Sequence, residues 1–153
     1  VVQWDYQDNR LERYATDELQ SRMISRLDAL KPDTIFVPGP WDFNTEHRLA
    51  FELVQMSSKP AYSPYIQRIY CYEIPSSTEW SFQSRENFQP TSYVMLGEEE
   101  LDHKLRLCRV YEDEIFSLPH GRSEEYVRAL AVKRGVECGH RYAEAFHLCR
   151  EVI

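Results

Sequence analysis

Residues 30–48, LKPDTIFVPGPWDFNTEHR, carry the strongest information about the fold of this chain. Pro32 ends the helical pattern before it, because proline has no amide hydrogen for the helix ladder. The apolar run at residues 34–37 has the pattern of a strand buried on both faces, and a second helix is predicted from Thr45 to about Met56. A strand between two helices predicts an α/β domain with a largely parallel sheet. In such domains the loops after the strands form the functional site.

The rest of the chain is also predicted to contain both helices and strands. We expect a helix over residues 16–30 and strands over residues 1–4, 67–74 and 90–96. The chain after residue 97 is expected to be helical, with helices over residues 98–116 and 123–134. Thr16 and Ser123 are predicted N-caps, and Gly135 is a predicted C-terminal stop. There is no internal repeat or linker, so residues 1–153 are predicted to form a single domain.

Composition excludes several classes of function. The chain has 153 residues, of which 42% are hydrophobic and 28% charged, which argues against disorder. Its net charge of −7 disfavours nucleic-acid binding, and no apolar run approaches the roughly 20 residues of a membrane span. Four cysteines without a Cys-x-x-Cys pair predict reduced thiols and a cytoplasmic protein, with a disulfide framework as the less favoured alternative. The absence of a Gly-x-Gly motif disfavours a nucleotide cofactor.

The loop after the first buried strand holds side chains that are common in metal and acid–base chemistry: Asp42, Asn44, Glu46, His47 and Arg48. Neutral imidazole is a common zinc ligand, and a neighbouring carboxylate or amide can orient it. The alternative is structural: Thr45 caps the helix, Glu46 favours its dipole, and His47 and Arg48 are solvated. Composition alone leaves both interpretations open.

The motif Asp42-x-Asn44-x-Glu46-His47-Arg48 resembles the Asp-x-Asn-x-Asp-His-Arg segment of the PIG-L/LmbE family of metal-dependent N-deacetylases. The likeness continues in the same order along nearly the whole chain. It includes residues 72–80, residues 88–90, the Lys104…Tyr111-x-x-Glu114 segment, Arg122-Ser123 and residues 134–146.

This resemblance implies a Rossmann-like three-layer domain that removes the N-acetyl group of a glucosamine-type sugar. In the family a divalent metal, typically zinc, binds water and the acetamide carbonyl, and a carboxylate takes the proton of the water. The resemblance implies that His47 is a metal ligand and that Asn44 and Asp42 shape the site for water and acetamide. Many members have histidine at the position of Asn44. An amide can donate a hydrogen bond there but cannot deliver a proton near neutral pH.

Four more residues are implied contacts of the amino-sugar substrate: Arg122, Ser123, Glu73 and Tyr142. Each has an alternative. Ser123 is also a natural helix cap with Arg122 at the surface, Glu73 precedes a turn of small polar residues, and Tyr142 matches a family position near the site or a subunit contact.

One family feature is missing from these residues. The opening signature Ala-His-Pro-Asp-Asp-Glu, which supplies two further metal ligands and the general base, does not occur, so the sequence resembles the family without its first strand. A lone histidine is not a catalytic zinc site, which normally has three protein ligands. We therefore expect the chain alone to be inactive and to hold zinc weakly or not at all. A separate N-terminal fragment, another subunit in a homo-oligomer or a rearranged sheet would cover the edges left exposed.

Two functions from different classes follow. The first is part of a zinc-dependent hydrolase that removes the N-acetyl group from an amino sugar or its conjugate. The alternative is a non-catalytic sugar-binding or assembly subunit that keeps the scaffold without the catalytic strand. Whether the chain acts as an enzyme stays open at this point.

Overall fold

The computed structural model describes residues 2–82 and 87–153; Val1, at the start of the first predicted strand, lies outside the described residues. The described elements, in chain order, are α1 (Thr16–Leu30), β1 (Thr34–Pro38), α2 (Thr45–Ser57), β2 (Arg68–Tyr72), β3 (Ser92–Leu96), α3 (Glu98–Arg109), α4 (Glu124–Cys138) and β4 (Tyr142–Glu151). Single 3-10 turns lie at Leu11–Arg13, Thr78–Trp80 and Glu112–Glu114. Over the described residues, no helix combines the length and the hydropathy needed to cross a membrane.

The strands form a sheet in the order β1-β2-β4-β3. β1 and β2 run parallel, with Thr34 opposite Arg68 and Pro38 opposite Tyr72. β3 and β4 run antiparallel. The α/β class and its Rossmann-like character are confirmed, but the sheet is mixed rather than largely parallel because β4 pairs with β3 in the opposite direction.

The chain divides into two compact units, and the first consists of residues 2–72 and 148–153 of the described chain. Its core is built from buried side chains of α1, α2, β1 and β2: Leu27, Val54, Val37, Ile69 and Cys71, with Ile66. Alternate residues of β1 point to opposite faces, so Val37 is buried whereas Phe36 is 56% exposed and stacks on Tyr70. The prediction that residues 34–37 are buried on both faces was therefore wrong.

The second unit, Glu73–His147, contains β3, α3, α4 and most of β4. Its core cluster joins Leu101 of α3, Ala131 of α4 and Tyr142 of β4, with Leu96 of β3 packed against it. These four side chains come from four different elements, so the elements of this unit bury apolar surface against one another.

Three helix ends differ from the sequence prediction. Thr16 is the first residue of α1 rather than its cap, and the cap residue, Ala15, makes no side-chain hydrogen bond. α3 ends at Arg109 instead of continuing to residue 116. α4 passes through Gly135 and ends at Cys138, where Gly139 adopts a left-handed conformation with φ 79°. A glycine tolerates that conformation without a steric penalty, so Gly139 is the stop.

The largest correction is β4, since residues 142–151 were expected to be helical. Ala143 and Ala145 are buried whereas Glu144 between them is not, which is the alternation of a strand. Alanine and glutamate favour helices, but pairing with β3 overrides that weak preference. His147, predicted in or beside a helix, therefore lies in a strand.

Residues 2–4 were also expected to form a strand, and the structure assigns none there. Instead the Arg22 guanidinium of α1 lies 5.1 Å from the ring centre of Trp4 and 5.0 Å from that of Tyr6. These cation–π contacts hold the segment against α1.

Candidate metal-binding loop

The loop between β1 and α2 begins with a tight backbone approach. At Gly39 a Cβ atom would overlap the indole of Trp41, so only glycine lets that ring lie where it does. Trp41 in turn packs against the core of the first unit. The Asp42 amide then donates to the Gly39 carbonyl at 3.2 Å and closes a turn. This anchoring fixes where the Asp42 side chain leaves the backbone.

Asp42 and His47 form the central pair of the loop. The Asp42 side chain is fully buried, and its Oδ1 accepts the Asn44 amide at 2.8 Å and lies 2.8 Å from His47 Nδ1. A carboxylate only accepts hydrogen bonds, so the hydrogen of the neutral imidazole is on Nδ1. The lone pair of His47 is then on Nε2, and the ring keeps 29% of its surface exposed. This arrangement is the one that orients a histidine for metal ligation.

The other polar side chains of the motif build the loop itself. Asn44 Oδ1 accepts the Glu46 amide at 2.8 Å and caps α2, so the expectation that Thr45 is the cap was wrong by one residue. Glu46 Oε1 accepts the Leu11 amide at 2.8 Å. Arg48 Nη1 donates to the carbonyl oxygens of Asp42 at 2.6 Å and Phe43 at 2.8 Å. The motif therefore serves mainly to hold one imidazole in place.

Tyr72, the last residue of β2, belongs to the same unit and was not among the predicted site residues. Its strand partner is Pro38, the last residue of β1. Burial, and then the negative charge of Asp42, raise the pKa of Tyr72. The signal that sequence reasoning missed is its place at the carboxyl end of the strand next to β1, where site residues collect.

The loop alone does not make a metal centre. Across residues 2–82 and 87–153, no group of three or more His, Cys, Asp or Glu side chains is placed to hold a metal ion. A catalytic zinc site normally has three protein ligands, and the described chain supplies one oriented ligand, His47. The donor set of the described residues therefore does not fit a zinc ion by itself.

In the second unit, Glu73 is bound by a buried arginine that sequence reasoning also missed. Arg134 donates to both Glu73 oxygens, at 2.8 and 2.5 Å, and to Glu137 at 2.9 Å, and only 8% of its side chain is exposed. Its guanidinium also lies 5.1 Å from the ring centre of Phe88. Burial lowers the pKa of Arg134, but the hydrogen bonds that it donates to Glu73 and Glu137 outweigh this effect and raise the pKa overall. Glu73 and Arg134 are 61 positions apart, so no local sequence pattern predicts their contact.

Glu73 and Arg134 line a cavity of about 540 Å³ within the second unit. Its walls combine aromatic rings with charged groups, including Phe82, Phe88, Tyr126, Glu79 and Lys133. Aromatic faces with a few fixed polar groups are typical of small-molecule pockets. Of the predicted substrate contacts, Glu73 is thus the one that faces a pocket.

The remaining predicted contacts, all in the second unit, are used internally. Arg122 Nε donates to Ser76 Oγ at 2.7 Å, and its Nη1 pairs with Glu114. Ser123 is completely buried, and its hydroxyl caps α4 by accepting the Tyr126 amide. Tyr142 is 5% exposed and donates its hydroxyl to Glu98 at 3.0 Å. Ser123 and Tyr142 therefore have structural roles, and we do not carry them into a proposed site.

Comparison with known proteins places the fold among α/β proteins of differing activity. Neither a scan against models of protein families nor a search of curated proteins finds a match. Among solved structures, the chain is similar to N,N'-diacetylchitobiose deacetylase from Pyrococcus horikoshii, with a TM-score of 0.67 and 25% identity over 95% of this chain and 55% of that one.

Two further structures share the fold at lower identity. The conserved protein TT1542 from Thermus thermophilus has a TM-score of 0.65 and 21% identity, covering 89% of this chain and 60% of that one. GalB, the 4-carboxy-2-hydroxymuconate hydratase from Pseudomonas putida KT2440, has a TM-score of 0.64 and 15% identity. The match covers 95% of this chain and 63% of GalB. This chain thus spans between 55% and 63% of the length of these three proteins.

Proposed function

We propose that this chain is the part of a metal-dependent N-deacetylase that supplies one metal ligand, His47, for hydrolysis of an N-acetylated amino sugar or its conjugate. The observation that carries the proposal is the Asp42–His47 pair, with Nε2 left as the coordinating atom. It occurs in a chain that is similar over 95% of its length to a diacetylchitobiose deacetylase. The family resemblance in the sequence supports the same reaction class.

Each residue of the loop has a part in this proposal. Asp42 is a positioning residue, because it holds the imidazole and does not itself reach the solvent. Asn44 uses its amide oxygen for the α2 cap, which leaves the Nδ2 hydrogens to donate toward the acetamide oxygen of a substrate. His47 presents Nε2 as the ligand.

The remaining metal ligands come, in this proposal, from protein outside the described residues. A separate N-terminal segment or another subunit would supply them. β1 is the terminal strand in the order of the described sheet, and Phe36 on it is largely exposed. Within the described sheet β1 is paired with β2 on one side only, and this edge with an exposed aromatic ring supports the idea that further protein packs there. For the sugar, the candidate contact is Glu73, which lines the cavity of the second unit. Arg122, which binds Ser76 and Glu114, is a candidate from the family resemblance alone.

Metal content of the purified chain tests the proposal at its simplest. We expect less than one zinc per chain after dialysis against micromolar zinc, because one imidazole does not make a site. The control is His47→Ala, which should lower even this residual binding. Stoichiometric zinc that is lost in His47→Ala would show that the chain completes a site without added protein, and would refute the proposed division of ligands.

Activity is tested on the protein encoded by the whole reading frame that contains this chain. Zinc-loaded protein should release acetate from N,N'-diacetylchitobiose or another N-acetylated amino sugar, and His47→Ala should lose at least about 100-fold of that rate, since a metal ligand is removed. A matched control is His140→Ala, at a histidine outside the loop, which should retain the rate. A folded, zinc-loaded protein that hydrolyses none of these substrates would contradict the deacetylase proposal.

A non-catalytic sugar-binding or assembly subunit is the second candidate. It is favoured by the lack of a three-ligand cluster among the described residues, together with the aromatic and charged cavity of the second unit. The hydratase GalB has the same fold, so the fold by itself does not specify deacetylation. Binding of N-acetylglucosamine oligomers by the whole protein, without acetate release, would establish this second candidate.

A further inference from the structure

Two cysteines of the first unit lie in sulfur–sulfur contact. Cys71 is in β2 and Cys149 is in β4, and these strands are neighbours in the sheet order. Their Sγ atoms are 3.3 Å apart, although the residues are 78 positions apart in sequence. Cys71 is a completely buried residue and Cys149 is an exposed one, and the contact between their sulfurs is partly buried. Both are thiols in the structure.

We propose that Cys71 and Cys149 form a reversible dithiol–disulfide site that is oxidised by a low-molecular-weight disulfide. The proposal is independent of the deacetylase function, since neither cysteine is a predicted or observed part of the loop that carries His47. The four cysteines are thiols in the structure, as predicted, and the proposal adds an oxidised state for two of them. The sulfurs lie 3.3 Å apart on adjacent strands, and a disulfide of about 2.05 Å requires them to approach by about 1.3 Å.

The exchange proceeds in two balanced steps. The exposed Cys149 thiolate attacks one sulfur of the small disulfide, forms a mixed disulfide and releases one small thiolate. The Cys71 sulfur then attacks Cys149 Sγ, loses its proton to solvent and releases the second small thiolate, which leaves a Cys71–Cys149 bond. In total the protein loses two protons and two electrons, and the small disulfide takes them up and is reduced to two thiols.

The environments of the two sulfurs fit this order of events. The hydrogen bond with Cys149, and then burial, raise the pKa of Cys71, so it stays a thiol in the reduced protein. Its Sγ also lies 3.6 Å from the Pro38 carbonyl oxygen, at the end of β1. Cys149 has access to solvent and to an oxidant, and access is the first requirement for thiol exchange.

The other two cysteines provide internal controls. Cys138 Sγ donates to the Gly135 carbonyl at 3.5 Å within α4, and Cys108 lies on α3. Of the four cysteines, all of them in the described part of the chain, only Cys71 and Cys149 are recorded in sulfur–sulfur contact. The proposal therefore predicts one particular disulfide.

The test treats the purified chain with oxidised glutathione, blocks the remaining thiols by alkylation, and maps the peptides by mass spectrometry. We expect two of the four thiols to be lost, a Cys71–Cys149 linked peptide, and full reversal by dithiothreitol. The oxidised chain should also unfold at a higher temperature, because the bond closes a long loop in the unfolded chain. Cys138→Ser, the matched control, should behave as the parent chain.

Cys149→Ser is the informative variant, because its exposed position makes failure to fold unexpected. It should retain all three remaining thiols and show no rise in the unfolding temperature after treatment. Oxidation that stops at a glutathione adduct on Cys149 would overturn the proposal. So would a bond that involves Cys108 or Cys138, or a parent chain that keeps all four thiols at high oxidised glutathione.

Discussion

A buried carboxylate beside a half-buried imidazole is the most informative contact in this protein. Asp42 is 2% exposed, and burying a carboxylate is costly unless hydrogen bonds stabilise it. The Asn44 amide and the His47 ring provide two such bonds to Oδ1. The same contact that stabilises Asp42 also selects the tautomer of His47. At the scale of single residues, the burial of Asp42 and the proposed role of His47 therefore depend on the same hydrogen bond.

Asp42→Asn should weaken the preference of His47 for the Nδ1–H tautomer while keeping the size of the side chain at position 42. An amide can either donate or accept, so the Nδ1–H tautomer of His47 is no longer imposed. Nitrogen chemical shifts of the His47 ring should show the Nε2 lone pair in the parent chain at neutral pH and a mixture of tautomers in the variant. In the zinc-loaded whole protein, metal affinity should fall about 10- to 100-fold.

The control for this variant is Asp33→Asn, at a carboxylate that hydrogen-bonds Thr34 rather than a histidine. It should leave both the ring shifts and the zinc affinity unchanged. Identical His47 shifts in Asp42→Asn and the parent chain would mean that Asp42 does not determine the tautomer.

At the scale of elements, the start of α2 joins the loop to the fold. Asn44 caps the helix, and the first turn then places His47 over the loop. Asn44→Ala should lower the free energy of unfolding by about 1 kcal/mol, because the Glu46 amide loses its acceptor. Urea denaturation measures this. Thr45→Ala should cost less, since Thr45 is the first helical residue and not the cap; a larger loss in Thr45→Ala would contradict the assignment.

α4 offers a second comparison, between two glycines with different reasons to be glycine. Gly139→Ala has open space around its Cβ but a φ of 79°, and should cost about 1 kcal/mol from backbone strain. At Gly135 a Cβ would lie 2.7 Å from the carbonyl oxygens of His140 and Arg141, so Gly135→Ala forces the backbone apart. Thermal and urea unfolding should therefore show the larger loss for Gly135→Ala. The reverse order would be inconsistent with this packing.

At the scale of the whole molecule, the chain consists of two compact units with separate cores. Arginine–carboxylate pairs are numerous in the second unit. Arg134 binds Glu73 and Glu137, Arg128 binds Glu98 and Asp102, and Arg109 binds Glu124. The Arg134 pairs are the most buried of these, so the surrounding solvent screens them least.

These pairs predict a loss of stability in acid. Burial raises the pKa of Glu137, but the hydrogen bond and charge of Arg134 outweigh it and lower the pKa below the ordinary 4.5. The hydrogen bond from Arg128 lowers the pKa of Glu98, and that from Arg109 lowers the pKa of Glu124. A depressed pKa in the folded state means that the unfolded state binds protons first. The stabilisation is therefore complete above about pH 4.5 and is lost as the pH falls through the folded pKa values.

Urea unfolding at a series of pH values from neutral downward checks this. The free energy of unfolding should decline below about pH 4.5, and Glu137→Gln should show a shallower decline because one contributing group is gone. Glu52→Gln, at a carboxylate on α2 without such a pair among the described contacts, is the matched control and should follow the parent curve. If the free energy of unfolding declined equally steeply in Glu137→Gln and the parent, Glu137 would not contribute to the loss of stability in acid.

Elements with a strong local signal were predicted well. Pro32 ends α1 at Leu30, and the apolar run before Pro38 forms β1, because a helix stop and an apolar run act over a few neighbouring residues. β4 was missed because Ala143, Glu144 and Ala145 favour a helix locally and are strand residues only when paired with β3, about 50 positions earlier.

For the candidate site, too, some features could be predicted from local sequence and others could not. The motif itself pointed to the loop, to His47 and to an orienting partner, since the types and spacing of side chains are visible in the sequence. The partner of each side chain was not visible. Glu73 meets Arg134 across 61 positions, and Glu46 meets Leu11 across 35. Contacts at such separations are set by the path of the chain, not by neighbours in sequence.

By itself, the order of residues determined the α/β class, the main helices and first strands, and the loop that holds His47. Only the tertiary structure decided which ring nitrogen of His47 carries the hydrogen. It also decided that Ser123 and Tyr142 are buried, and that the Cys71 and Cys149 sulfurs are in contact. The physical reason is range: backbone propensity and apolar spacing act within a turn or two, whereas burial and hydrogen-bond partners arise from chain segments that meet only after folding.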